Sequence, residues 1–190
     1  FFTENNGKIS GLIFGATSKK IKNFLLIGNQ FNIEYNSKSQ NRVGYFKLEI
    51  EKIFTPHYLD QQTKLNCLLY SLNLIKILTV ENQANNKIYK HFFKLYDILN
   101  YKDWLKKFIF WELELIKFVG YDINFNDYID SKKINNDHNY ISTLDGSKKI
   151  PAFLLKKDNS ETNTSELIEG LKVVGDFLNK SVLMPNNINY

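Results

Sequence analysis

This chain of 190 residues is poor in several residue types, and each shortage excludes something. Cys67 is the only cysteine, so an intrachain disulfide and a cysteine-built zinc cluster are both excluded. Arg42 is the only arginine, and lysine supplies the other 24 of the 25 basic residues. Met184 is the only methionine and the chain opens on Phe1, so a missing N-terminus is expected. Alanine is scarce while asparagine and isoleucine abound, the bias of an AT-rich genome, which bars reading one Lys-rich or Asn-rich stretch as a motif. The densest apolar stretch, Leu65–Val80, is broken by Asn66, Asn73 and Lys76, whereas a membrane span takes about 20 apolar residues. The given start carries no basic-then-apolar signal segment. A soluble, cytoplasmic protein is the expectation.

Catalytic motifs are equally scarce. No Walker loop, dinucleotide fingerprint or nucleophile elbow occurs. His57, His91 and His138 lie too far apart for a His-x3-His or HExxH spacing. Cys67 falls inside an apolar helical run, where a buried structural thiol is expected. No enzyme and no cofactor are expected.

What remains is a chain with 43% hydrophobic, 24% charged and 15% aromatic residues, enough for one or two domains with a real core. Its charge is uneven. Residues 1–53 carry Lys8, Lys19, Lys20, Lys22, Lys38, Arg42, Lys47 and Lys52 against Glu4, Glu34, Glu49 and Glu51. Residues 54–190 are close to balanced, so most of the net +5 sits in the first quarter. A local basic excess attracts polyanions. An excess this modest is also what a solvated, lysine-rich face presents.

The same 53 residues read as strands. Phe31, Ile33 and Tyr35 alternate with Asn32, Glu34 and Asn36, and Phe46, Leu48 and Ile50 alternate with Lys47, Glu49 and Glu51. Gly7, Gly11, Gly15, Gly28 and Gly44 punctuate them. Short strands with glycine corners and basic loops suggest a small barrel, an OB-fold being one candidate. Thr55-Pro56 then opens a predicted helix, with Thr55 as cap, running from His57 to about Thr79. A second helix is predicted over Lys87–Leu99, its stripe of Tyr89, Phe92, Phe93 and Tyr96 reading as core. A third runs from an Asn100 cap to a C-terminal Gly120. Residues 122–163 are polar and irregular, with a hairpin expected over Asn139–Ile150 around Asp145-Gly146. A last helix, capped by Thr164 or Ser165, is expected to run to about Val182 and close at Met184-Pro185.

On a helical wheel the third helix gathers Trp104, Leu105, Phe108, Ile109, Trp111, Leu115, Ile116 and Val119 on one face, with Glu112 near its centre. A buried carboxylate needs a partner or must lose its charge. Glu112 is therefore either a structural carboxylate or a catalytic or ligand-binding acid, and no second acid, base or ligand set accompanies it. The opposite face sets Phe110 and Leu113 among Lys102, Lys106 and Lys117. That pattern suits an acidic, hydrophobic-ended peptide, or equally a helix packed beneath lysine stems.

The run Trp111-Glu112-Leu113-Glu114-Leu115-Ile116-Lys117-Phe118-Val119-Gly120-Tyr121 resembles the Phe-Glu-Leu-x-Leu-Leu-x-x-Leu-Gly-Tyr signature of the bacterial DNA repair protein RecO family. Gly11-Leu12-Ile13-Phe14-Gly15-Ala16-Thr17-Ser18, followed by Leu26-Ile27-Gly28-Asn29, is similar to that family's barrel stretch. Tyr140-Ile141-Ser142, Pro151-Ala152-Phe153-Leu154 and Gly175-Asp176-Phe177-Leu178 resemble blocks of its alphaproteobacterial branch. The resemblance implies an α+β, multi-domain protein: an incomplete N-terminal OB-fold barrel over 1–53 and a helical domain over 54–190 with an irregular, hairpin-bearing insertion at about 122–163. It implies a nucleoid-associated recombination mediator that binds and anneals single-stranded DNA. It further implies RecR, the acidic C-terminal tail of single-strand-binding protein and, indirectly, RecA as partners, with no turnover.

Two departures from the family matter. Tyr128 stands where a zinc-binding cysteine is expected and no cysteine follows, so residues 122–150 are expected to lack the family zinc site. Phe14 and Thr17 stand where relatives often have arginine, which moves DNA contact to Lys19, Lys20 and Lys22, with Lys8, Lys38 and Arg42 as further candidates. The resemblance puts the peptide site in the helical domain without fixing its residues; the wheel supplies Lys102, Lys106, Phe110, Leu113 and Lys117 as the candidates, with Glu112 and Gly120 as structural residues. The competing expectation is an adaptor that binds an acidic peptide and has little DNA affinity of its own.

Overall fold

The computed structural model describes residues 1–37, 43–125, 139–143, 146–156 and 162–187, with backbone only at Lys20, residues 139–143 and 146–148, and Lys156. The chain is a mixed α/β protein made of two compact units, Phe1–Asp97 and Ile98–Tyr190.

In the first unit a short antiparallel pair, β1 (Phe2–Thr3) and β2 (Gly7–Lys8), precedes a three-stranded sheet of β3 (Leu12–Ile13), β4 (Gln30–Asn36) and β5 (Tyr45–Lys52). The sheet order is β3-β5-β4, with β4 antiparallel and β3 parallel to β5. The alternation read from sequence is real: Tyr35 and Phe46 share one face, their rings 5.1 Å apart, and Phe1 meets both Phe31 and Phe46 edge-on. That face is only partly covered. Phe46 is buried, while Tyr35 and Ile50 stay exposed. The described strands form this open sheet and the separate β1–β2 pair, not a closed barrel.

A short helix, α1 (Lys19–Lys22), is capped by the Ser18 side chain, which accepts from the Ile21 N–H. After β5 the expected single helix is split in two: a 3-10 turn over Thr55–Tyr58, then α2 (Gln62–Leu78). Thr55 does not cap it. Its hydroxyl instead donates to the Ile27 carbonyl, and Phe54 takes the cap position. Helix α3 (Asn86–Ile98) lies within a residue of its expected bounds. Phe92 and Tyr96 of its stripe are buried as expected, with the half-buried Phe93 ring-packed against both and the half-buried Tyr89 against Phe93. Cys67 is half-buried, more accessible than a core thiol.

In the second unit α4 (Trp104–Phe118) starts three residues later than expected, with Asp103 in place of Asn100 at the cap position, because residues 100–103 form a turn. Its end is as read: the Gly120 N–H donates to the Lys117 carbonyl and the Tyr121 N–H to the Ile116 carbonyl, the paired bonds of a Schellman motif. The hairpin also forms, as β6 (Asn139–Thr143) and β7 (Gly146–Ile150), but Thr143 pairs with Gly146, so that glycine opens the return strand instead of sitting in the turn. A short helix, α5 (Ala152–Lys156), follows Pro151 inside the stretch expected to be irregular. Helix α6 (Thr164–Phe177) is capped by Asn163, one residue before the expected cap. Asn163 Oδ1 accepts from the Glu166 N–H at 2.8 Å and Glu166 returns a carboxylate to the Asn163 N–H at 3.0 Å. The helix continues as a π turn over Leu178–Leu183 and a 3-10 turn over Met184–Asn186. Gly170 lets α6 approach closely: a Cβ there would lie 2.6 Å from the Phe153 ring. No described helix is long and apolar enough to cross a membrane.

Candidate nucleic-acid interface

The turn between α1 and β4 is held by several bonds at once. Gly28 has φ +97°, a left-handed conformation that favours glycine. Around it, Asn29 Oδ1 accepts from the backbone N–H of Phe54 at 2.9 Å and of Thr55 at 3.1 Å. Asn29 Nδ2 donates to the Phe24 carbonyl at 3.0 Å, and the Tyr96 hydroxyl donates to the Gly28 carbonyl. Burial pushes the Tyr96 phenol far above its ordinary value, with Tyr58 adding to the shift. Phe54 stacks on the Tyr96 ring at 3.7 Å. These bonds fix the start of β4 and the end of β5, and so the two strands that follow the lysine-bearing α1.

Lys19 and Lys22 are exposed, one helical turn apart on α1, and free to reach an anion. The Lys20 side chain, Lys38 and Arg42 lie outside the described residues. Lys8 is used internally, since its Nζ donates to the Lys76 carbonyl at 2.8 Å and the Thr79 carbonyl at 2.9 Å. A cation at those last carbonyls of α2 satisfies orphan acceptors and opposes the helix dipole. Lys47 pairs across the strands with Glu34 at 3.2 Å, and hydrogen bonds from Asn36 and then Lys47 hold the Glu34 carboxyl below its usual value. Both members are well exposed, so the pair adds little stability.

The α4 candidates do not make one open patch. Lys102 lies in the turn before the helix and Lys117 binds Asp122 at 2.7 Å. Phe110 is half-buried and meets the Phe153 ring edge-on at 6.0 Å, and Lys106 Nζ sits 5.6 Å from the centre of that same ring. Phe153 of α5 thus occupies space beside Phe110 that an incoming side chain was expected to fill. Leu113 is half-buried. On the other face Glu112 is 2% exposed, held among Phe108, Ile109, Leu115 and Ile116, all buried residues of the same helix. Among the described residues no group of three His, Cys, Asp or Glu side chains is placed to hold a metal ion. Residues 122–150 contain no cysteine, so their donor set does not fit a cysteine-ligated zinc, and Tyr128 lies outside the described residues.

Sequence reasoning treated Phe14 as a lost cation and passed over Tyr45 and Phe153. The two-residue strand β3 is too short to show a period, so nothing local reveals that it runs parallel to β5 and brings Phe14 beside Tyr45.

Comparison with known proteins places the chain among DNA repair proteins. The family described as "Recombination protein O C terminal" matches residues 60–186, about two-thirds of the chain. Curated proteins named "DNA repair protein RecO" match nearly all of it. That of Rickettsia canadensis is 27% identical over 98% of this chain and 81% of its own length. That of Rickettsia typhi is 29% identical over 98% and 83%, and that of Rhodospirillum centenum 22% identical over 94% and 76%. The chain belongs to the RecO family.

Proposed function

We propose that this protein is a recombination mediator: it binds and anneals single-stranded DNA, engages RecR and the acidic tail of single-strand-binding protein, and promotes RecA loading. In this reading residues 1–53 belong to an OB-fold-like DNA-binding domain and residues 54–190 to a helical partner-binding domain. Family membership carries the reading. The open sheet supports it, because a strand that returns in parallel against the last strand is how a small Greek-key sheet begins to curl on itself. The exposed lysines of α1 support it too, because Lys19 and Lys22 stand on the helix between β3 and β4. Lys19 and Lys22 contact phosphates in this reading, giving salt-dependent binding with little sequence preference.

Polarisation of a fluorescein-labelled single strand across a salt series tests this. Binding should weaken steeply as salt rises. Changing Lys19 and Lys22 together to Glu should lower affinity at least about tenfold and flatten the salt slope by about two. No binding at low salt by the folded protein would remove the DNA-binding reading.

A second reading, an adaptor with little DNA affinity, draws on one observation: Lys8 and Lys47 are already committed to internal partners, which leaves few free cations on the described sheet. There the acidic-tail peptide would be the ligand, on Lys106 with the half-buried Phe110 and Leu113 of the same helix.

A further inference from the structure

The sheet presents more than charge. In the parallel register Leu12 lies opposite Tyr45 and Ile13 opposite Phe46. Side chains alternate along a strand, so Ile13 and Phe46 point to one face while Leu12 and Tyr45 point to the other, and Phe14 stands in the turn just after β3. The first face holds the buried Phe46, which is 4% exposed. The second holds Leu12 at 57% exposure and the half-buried Tyr45, and Phe14, 69% exposed, sits beside Tyr45. The Phe14 and Tyr45 rings are 5.2 Å apart at 57°. A phenylalanine this exposed contributes almost nothing to the core, and its ring offers a π-face to solvent beside the tilted Tyr45 ring. The helix bearing Lys19 and Lys22 begins five residues after Phe14.

Resting on the single-strand-binding reading above, we propose that Phe14 and Tyr45 form a stacking platform for the bases of single-stranded DNA while Lys19 and Lys22 take the adjoining phosphates. The chemistry matches the surface: an aromatic face accepts any base, and nearby cations follow the backbone. A partner protein's apolar side chain would use the rings without needing the lysines.

The test compares an oligothymidylate with an abasic strand of equal length, which keeps the phosphates and removes the bases. The unaltered chain should bind the abasic strand more weakly. Phe14→Ala should weaken oligothymidylate binding about tenfold, leave the salt slope unchanged and leave abasic binding untouched, while Phe14→Tyr should bind normally. Lys19→Gln should do the reverse, lowering affinity for both strands and flattening the slope by about one. Phe14→Trp gives a second readout: its fluorescence should be quenched by oligothymidylate and not by the abasic strand, above the background of Trp104 and Trp111. Equal binding of both strands with Phe14→Ala silent would overturn the platform and leave phosphate binding standing, a result a protein-docking role for the rings would also give. Failure of the unaltered, folded chain to bind either strand would overturn both readings.

Discussion

A phenol that donates to a carbonyl has to keep its proton, and Tyr96 is placed to keep it. Burial raises its pKa, so the folded protein favours the neutral form well above the ordinary value of 10. The sign follows: stability from this group is complete below about pH 10 and falls as pH rises above it, because the unfolded chain ionises first. Tyr58 and Tyr89 are shifted the same way, chiefly by burial, and add to the slope. Tyr96→Phe should cost about 1–2 kcal/mol at neutral pH by leaving the Gly28 carbonyl without its donor, and should make the alkaline loss of stability shallower. Urea midpoints at neutral and alkaline pH check both. Two glycines with similar backbone angles should respond differently to alanine. At Gly120, φ +101° and open space mean strain alone, about 1 kcal/mol. At Gly28 a Cβ would also lie 2.6 Å from Thr55 Oγ1, a hydroxyl already held by the Ile27 carbonyl, so the cost should exceed about 2 kcal/mol. A larger fall in melting temperature for Gly120→Ala than for Gly28→Ala would contradict this.

Among the elements, α6 has the best-defined start. The reciprocal Asn163–Glu166 bonds predict that Asn163→Ala lowers stability by about 1 kcal/mol, while the exposed Ser165→Ala leaves it nearly unchanged, as urea unfolding would show. Asn-x-x-Glu was present in the sequence as a start signal, yet Thr164 and Ser165 competed for it, and a propensity cannot choose among three adjacent cap formers. The longer elements were legible because their periods are long. The alternation of β4 and β5, the wheel of α4 and its Gly120 stop all come from local sterics and burial. The break after Tyr58 was not legible, because what diverts Thr55 from capping is the carbonyl of Ile27, 28 residues away. For the same reason Lys8 read as a surface cation, when it closes the end of a helix 68 residues on. The nearness of Phe14 to Tyr45 depends on a parallel pairing that no local pattern records.

Over the whole molecule, the division of labour is one of charge and shape. The first 53 residues carry most of the net +5, and the remainder supplies the larger share of the buried apolar side chains. Under the proposed DNA-binding role, that distribution predicts that the α1 lysine variants change the salt response while the helix-packing variants change the melting temperature, so the two measurements should separate in the variants above. The Asn29 and Tyr96 bonds add a matter of timing. They join positions 25, 26 and 68 residues apart, and such closures form only after the intervening chain is in place. As the protein leaves the ribosome, the strands emerge first but their corner stays unlocked until α3 has followed. During that interval an unfinished sheet with exposed rings is in the open, and its safe passage depends on how quickly the next stretch of about 50 residues is made.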